Sequence, residues 1–239
     1  MSGLHAVILA GGKGTRLRPF TITLPKPLVP IGDESSVLEI VIRQLAHQGF
    51  ESATLAIGHF GELIEAYVGD GSQWGLRIDY AREREALGTI GPVVQAKDRL
   101  PDHFLVLNGD TLTDLDYADL VHRHAASGAP ITVATARREA RIEFGVLDVE
   151  DDIVVGFREK PAIPYLVAIG AYALSRTTLE AYRPGEPLGF DRLMLDLIER
   201  GEHPMSYDFT GFWLDIGRPE DYDRANVEFE EIRARLLPD

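Results

Sequence analysis

Through its first 110 residues the chain alternates apolar runs with amphipathic ones, and this alternation limits the possible folds more than any other feature of the sequence. Leu4 to Ala10, Ala53 to Ile57, Leu76 to Tyr80 and Phe104 to Leu107 read as strands, whereas Val37 to Gln48, Gly61 to Val68 and Ile90 to Arg99 read as helices. The order is βαβαβαβ. Parallel strands joined by helices need a sheet covered on both faces, with ligands bound outside the carboxyl ends of the strands. An α/β, Rossmann-like, doubly wound sheet, mixed and mostly parallel, is therefore expected. The second half is less regular, with strand-like Ile131 to Ala136, Gly145 to Val149, Ile153 to Phe157 and Val167 to Leu174, then helical Asp191 to Glu199 and Pro219 to Leu236. These segments should extend the same sheet and wall its ligand cleft. No linker, repeat or low-complexity tract interrupts residues 1–239, so one domain is expected.

Composition narrows the function. A chain of 239 residues with 45% hydrophobic content can bury a sizeable core. No apolar stretch approaches the roughly 18 residues of a membrane span. Met1-Ser-Gly-Leu-His5 runs straight into the first strand without a leader pattern, and there are no cysteines, so a cytoplasmic location is expected and thiolate chemistry is excluded. A net charge of −14 disfavours nucleic acid and anionic membranes as partners. It leaves room for a small phosphate ligand in a locally basic pocket, with a divalent cation held by carboxylates.

The strand end at Leu9-Ala-Gly-Gly-Lys-Gly-Thr-Arg-Leu-Arg-Pro19 fits that ligand. Gly11, Gly12 and Gly14 let main-chain N–H groups turn inward on an anion, and Lys13, Arg16 and Arg18 surround them with positive charge. Neither the P-loop, which needs Gly-Lys-Ser/Thr, nor the dinucleotide fingerprint, which needs glycine where Leu17 stands, is present. A second strand ends in Asn108-Gly-Asp110 and delivers a carboxylate to the same edge. Asp215 lies inside the apolar run Phe212-Trp-Leu-Asp-Ile-Gly217, where a lone buried carboxylate is costly and calls for a cationic partner. Asp110 and Asp215 could share one Mg²⁺, which takes one or two carboxylates plus phosphate oxygens and water. Phe157-Arg-Glu-Lys-Pro161 presents an acid beside a base, which in isolation reads as a surface ion pair.

In order along the chain, Gly11-Gly-Lys-Gly-Thr-Arg-Leu17, Pro25-Lys-Pro27, Leu87-Gly-Thr89, Asn108-Gly-Asp110, Glu159-Lys-Pro161 and Trp213-Leu-Asp-Ile-Gly217 resemble the sugar-nucleotidyltransferases, the pyrophosphorylases that make NDP-sugars from a nucleoside triphosphate and a sugar 1-phosphate. The resemblance implies Arg16, Lys26, Asp110, Lys160 and Asp215 as catalytic residues. It implies nucleotide binding by Leu9, Ala10, Gly11, Gly12, Gly14, Thr15, Arg16, Glu83, Gly88 and Asp110. It further implies sugar-phosphate binding by Lys26, Asn108, Gly145, Glu159 and Lys160, and Mg²⁺ held by Asp110 and Asp215. In such enzymes a phosphate oxygen of the sugar 1-phosphate attacks the α-phosphorus in line and pyrophosphate leaves. No nucleophilic side chain is needed, because phosphoryl transfer relies on positioning and charge stabilisation.

Tyr80-Ala-Arg-Glu-Arg-Glu-Ala-Leu-Gly-Thr89 is similar to the matching stretch of mannose-1-phosphate guanylyltransferases. A carboxylate only accepts, so Glu83 or Glu85 suits guanine, whose N1–H and amino group are adjacent donors. GTP is the expected triphosphate. The bland alternative pairs these glutamates with Arg82 and Arg84 on a solvated loop. Where many relatives carry an asparagine that helps bind the sugar, this chain has Ala168, so mannose, heptose and glucose 1-phosphates all remain candidates. A thymidylyl- or uridylyltransferase for glucose 1-phosphate is the alternative within the class. An inactive regulatory relative of the same fold, or a Rossmann-type dinucleotide enzyme, is the alternative outside it. The hexapeptide repeats of longer relatives are not seen after Trp213, so a bare catalytic domain without a C-terminal β-helix, in a homodimer or homotetramer, is expected.

Overall fold

The structure is a computed structural model that describes residues 3–32 and 35–237. Its strands are β1 (Leu4–Ala10), β2 (Pro30–Ile31), β3 (Ser35–Ser36), β4 (Phe50–Ile57), β5 (Arg77–Arg82), β6 (His103–Asn108) and β7 (Thr111–Thr113), then β8 (Ile131–Arg141), β9 (Val146–Glu150), β10 (Ile153–Arg158), β11 (Ala162–Ser175), β12 (Met205–Asp208) and β13 (Trp213–Asp215). The α-helices are α1 (Val37–His47), α2 (Gly61–Val68), α3 (Gly91–Ala96), α4 (Tyr117–Ser127), α5 (Phe190–Glu199) and α6 (Pro219–Leu236). A seven-stranded sheet in the order β12-β8-β11-β6-β1-β4-β5 forms the centre. β1, β4, β5 and β6 run parallel, β11 is antiparallel to both β6 and β8, and β12 is parallel to β8. The mixed, mostly parallel, doubly wound sheet expected from the sequence is the one observed.

Alternation along the central strands builds two cores. Ala6 and Ile8 of β1 and Leu105 and Leu107 of β6 face α1, α2 and α4 through Leu38, Ile42, Ile64, Leu120 and Val121. Val7, Phe104 and Val106 face the other way, onto Val93 and Val94 of α3 and Leu193 and Leu197 of α5. Strand segments buried on both sides are apolar, which is why Ala6 to Ala10 of β1 and Phe104 to Leu107 of β6 read as unbroken hydrophobic runs. A third core, in which Leu112, Leu214 and Ile216 pack on Phe229 and Ile232 of α6, supports the β7–β13 pair beneath the cleft.

Two segments depart from expectation. β9 and β10 pair only with each other and stand outside the central sheet as a two-stranded ribbon. Helix α4, over residues to which the sequence pattern assigns no element, is capped by Asp116, whose carboxylate accepts from the Asp119 amide at 2.8 Å. Its buried face carries His124, so its apolar stripe is broken in sequence while intact in space. Among the described residues no helix is long and apolar enough to cross a membrane.

Candidate active site

The chain leaves β1 toward β4 and β5 and returns with β6 on the opposite side of β1. Loops that diverge from two adjacent parallel strands open a crevice at their carboxyl ends. Its floor is main chain held too close for side chains. Gly109 donates its N–H to the Leu9 carbonyl at 2.9 Å, and a Cβ on Gly109 would lie 2.9 Å from that oxygen. A Cβ on Gly58, just beyond β4, would lie 3.0 Å from the Gly11 carbonyl.

Above this floor is a cavity of about 920 Å³. Leu9, Ala10, Gly11, Gly12, Lys26, Glu83, Gly88, Asn108 and Asp110, all named above as candidates for nucleotide or sugar-phosphate contacts, line it together. Among the described residues none of the amides of Gly11, Gly12, Lys13 or Gly14 donates to a protein group, so they are free to receive anionic oxygens. Gly14 adopts φ +60°, and a Cβ there would meet Lys26 Cβ at 3.0 Å, so this glycine lets the loop settle onto Lys26. Thr21 secures the turn by donating to the Gly14 carbonyl at 2.7 Å. Thr15 and Arg16 follow on an exposed single turn of 3-10 helix and do not line the cavity wall.

The charged centre lies where the turn between β6 and β7 meets β13. The Ile216 amide donates to the Asp110 carbonyl at 3.1 Å, which sets Asp215 beside Asp110. Lys26 Nζ is 2.5 Å from Asp110 Oδ2, while Asp110 Oδ1 is buried with no protein donor. Burial raises the Asp215 pKa above the usual carboxylate value, the Asp110 charge raises it further, and Lys26 and Arg16 pull it back. Two carboxylates, one with an unused buried oxygen, suit a hard cation that keeps water and phosphate oxygens in its remaining positions. No group of three or more His, Cys, Asp or Glu suited to a metal exists among the described residues.

Beside Gly11 in the cavity wall Glu83 turns inward. Its Oε2 accepts from the Leu87 amide at 3.2 Å, and its Oε1 lies 2.5 Å from where a Gly11 Cβ would be. Burial raises its pKa, and the Leu87 bond partly offsets this. Among the described residues neither Glu83 nor Glu85 pairs with Arg82 or Arg84. Arg82 instead reaches Glu62 and Glu65 on α2, and Glu83 keeps an acceptor oxygen facing the glycine loop. Gly88 at φ +77° lets the Leu87–Thr89 turn clasp the loop before α5, with Leu188 donating to the Leu87 carbonyl at 2.8 Å and Phe190 to the Thr89 hydroxyl oxygen at 2.8 Å.

Gly145, Glu159 and Lys160 stand apart from this cavity. They meet at the foot of the β9–β10 ribbon, where a Cβ on Gly145 would lie 3.5 Å from Glu159 Oε2. All three are exposed, and Glu159 and Lys160 make no hydrogen bond or ion pair among the described residues. Asn108 packs against Gly170, which at φ +81° occupies the irregularity in β11 and approaches too closely for a Cβ. Lys13, Gly58, His59 and Thr89 also line the cavity. Gly58 and His59 end a parallel strand, the same signal that marks Gly11 and Asp110.

Fold and site together define an α/β protein with an open cavity at the carboxyl ends of β1 and β6, lined by a glycine loop with unspent amides and joined by a centre of two neighbouring aspartates. Residues 5–232 match the model of the nucleotidyl transferase family, to which the chain belongs. It is 34% identical over 228 residues to the mannose-1-phosphate guanyltransferase of Schizosaccharomyces pombe, covering 92% of this chain and 62% of the relative. It is also 34% identical to the UTP–glucose-1-phosphate uridylyltransferase of Synechocystis, over 98% of this chain and 66% of that protein. The crystal structure of HddC from Yersinia pseudotuberculosis complexed with GMP-PN superposes with a TM-score of 0.74 at 27% identity, covering 95% of this chain and 99% of that one. The chain thus spans a little under two thirds of the length of the curated relatives.

Proposed function

We propose that residues 1–239 act as one catalytic domain that transfers a nucleoside monophosphate, preferentially from GTP, to a sugar 1-phosphate of the mannose, heptose or glucose type. The observation that carries this reading is Asp110, paired with Lys26, beside Asp215 and with one buried oxygen unused, at a cavity whose glycine-loop amides are also unspent. A phosphate oxygen of the sugar 1-phosphate forms a bond to the α-phosphorus. The bond from that phosphorus to the α,β-bridging oxygen breaks, and its electrons leave with pyrophosphate. The loop amides bind the triphosphate, Arg16 offsets charge on the departing pyrophosphate, and Lys26 faces the α-phosphate. From the foot of the β9–β10 ribbon Lys160 grips the sugar phosphate and Glu159, close to Gly145, accepts from sugar hydroxyls, while Asn108 contacts the sugar phosphate from the cavity wall. Asp110 and Asp215 would hold Mg²⁺, which when bound supplies charge neutralisation between two anions that otherwise repel.

The inward Glu83 supports guanine, since its free oxygen can accept from a base edge that presents adjacent donors. Similarity to a uridylyltransferase keeps UTP with glucose 1-phosphate as the second reading. A cytoplasmic setting suits the cysteine-free composition. The test is a matrix of GTP, UTP, dTTP, CTP and ATP against the three sugar 1-phosphates with Mg²⁺, read as pyrophosphate release. The expected result is highest kcat/KM with GTP. A pyrimidine preference would overturn the assignment of the base, and no release in any combination would overturn the activity.

A further inference from the structure

The loop that carries Glu83 also holds a cation, Arg84, that the phosphate chemistry does not use. Arg84, Glu85 and Ala86 separate Glu83 from Leu87, and all of them line the cavity. The span is fixed on both sides. The Glu83 amide donates to the Ile57 carbonyl at 2.8 Å, where β4 ends, and the Leu87 amide donates to Glu83 Oε2 at 3.2 Å. Leu188, just before α5, holds Leu87 in turn by donating to its carbonyl at 2.8 Å. Arg84 therefore belongs to a short closed ring of chain anchored to the central sheet, and its place beside the cavity is set by that anchorage.

Its charge is uncommitted. Arg82, two residues earlier, is drawn onto α2 by Glu62 and Glu65, whereas Arg84 makes no hydrogen bond or ion pair among the described residues. Asp110 already has its cation in Lys26. Arg84 instead directly follows the carboxylate assigned to the base.

We infer that Arg84 is a base-specificity residue, whose guanidinium donates to O6 and N7 of guanine while Glu83 accepts from N1–H and the amino group. The inference rests on the guanine reading proposed above and adds the second edge of the base to it. O6 and N7 are adjacent acceptors, and the planar guanidinium fork carries the paired donors that match them. A carboxylate that only accepts and a guanidinium that only donates together complement guanine on both edges. Adenine reverses both. It presents an acceptor at N1 where Glu83 needs a donor, and amino hydrogens where Arg84 needs an acceptor. A pyrimidine has no N7, so half of the fork goes unmatched. Binding a phosphate is the competing use of a cation here, and it makes the opposite prediction, because phosphates are common to every nucleotide.

Equilibrium binding to the whole chain with Mg²⁺, in the absence of any sugar 1-phosphate, tests this apart from turnover. The probes are GTP, 7-deaza-GTP, which has carbon in place of N7, ITP, which lacks the amino group, and pyrophosphate, which has no base. Wild type should bind 7-deaza-GTP about tenfold more weakly than GTP, the scale of one lost hydrogen bond to a charged donor. In Arg84→Met, which keeps the apolar stem, GTP should weaken about tenfold or more and its advantage over 7-deaza-GTP should vanish. Arg84→Lys, with the charge but not the fork, should fall between the two. Pyrophosphate should bind all of them alike, and ITP should stay weaker than GTP in each because Glu83 is intact. Equal binding of GTP and 7-deaza-GTP by wild type, or a gap that persists in Arg84→Met, would overturn the role of Arg84 alone, provided that ITP remains the weaker ligand. An equal loss of GTP and pyrophosphate in Arg84→Met would overturn it in favour of a phosphate contact. ITP matching GTP in wild type would overturn the guanine reading itself and this inference with it.

Discussion

Replacing Lys26 with methionine tests the charged centre most severely, because it removes the cation that holds Asp110 while keeping the apolar stem. The Lys26 and Asp110 side chains are 11 and 28% exposed, at a separation of 2.5 Å. Exposed pairs contribute about 0–1 kcal/mol, and breaking a buried one costs about 3–5 kcal/mol. For this partly buried pair about 2–3 kcal/mol is reasonable, which in a chain of this size lowers Tm by about 5–10 °C. Asp110 would then face Asp215 with the exposed Arg16 as the remaining cation acting on that pair among the described residues. The sign of the pH response follows. Asp215 already titrates above the usual carboxylate value, so the folded chain holds its proton more tightly than the unfolded chain. Repulsion therefore grows as pH rises through that value and fades below it. Thermal melts of Lys26→Met and wild type from pH 4.5 to 8, with and without Mg²⁺, should show a gap that narrows toward acid and a larger Mg²⁺ stabilisation of the variant. Matching melts at pH 8, within one degree, and equal Mg²⁺ shifts would refute the coupling of Lys26, Asp110 and Asp215.

Asp110→Asn and Asp215→Asn should each lower kcat/KM on the order of 10²-fold or more while the fold survives, checked by pyrophosphate release and circular dichroism. Glu83→Gln should erode the preference for GTP over UTP by about tenfold or more, since an acceptor shaped for two donors becomes a mixed group; competition between the two triphosphates measures it. Buried His5 and His124 both titrate at about 4, chiefly because burial disfavours their charged forms. The unfolded chain takes up their protons first, so stability is full above about pH 6.5 and falls toward pH 4, by up to about 3 kcal/mol per histidine. Urea titrations should show this fall, and it should be smaller in His124→Gln.

Much of the cleft was legible because burial on both faces makes Ala6 to Ala10 of β1 and Phe104 to Leu107 of β6 continuously apolar, and the residues just past these strands include Gly11 and Asp110. The inward turn of Glu83 was only one of two readings, because nothing in Arg82-Glu-Arg-Glu85 says that Arg82 will be drawn away by Glu62 and Glu65 on α2. Helix α4 stayed hidden for a similar reason. His124 serves as a core residue only because Thr132 and Ser175 satisfy its ring nitrogens at 2.9 and 3.1 Å, partners that tertiary structure supplies. The independence of the β9–β10 ribbon was also invisible, since local alternation signals a strand and says nothing about which sheet it joins. Lys160 and Glu159 were placed by resemblance alone, and their position at the foot of that ribbon leaves them apart from the cavity.

The central claim is transfer at the α-phosphorus in the cavity between β1 and β6. Following GTP labelled separately at its α- and γ-phosphates, with mannose, heptose or glucose 1-phosphate and Mg²⁺, tests it most directly. The α label should appear in a nucleotide-sugar and the γ label in pyrophosphate, in equal amounts, with both lost in Asp110→Asn. Passage of the γ label to the sugar, or undiminished transfer in Asp110→Asn, would contradict the account.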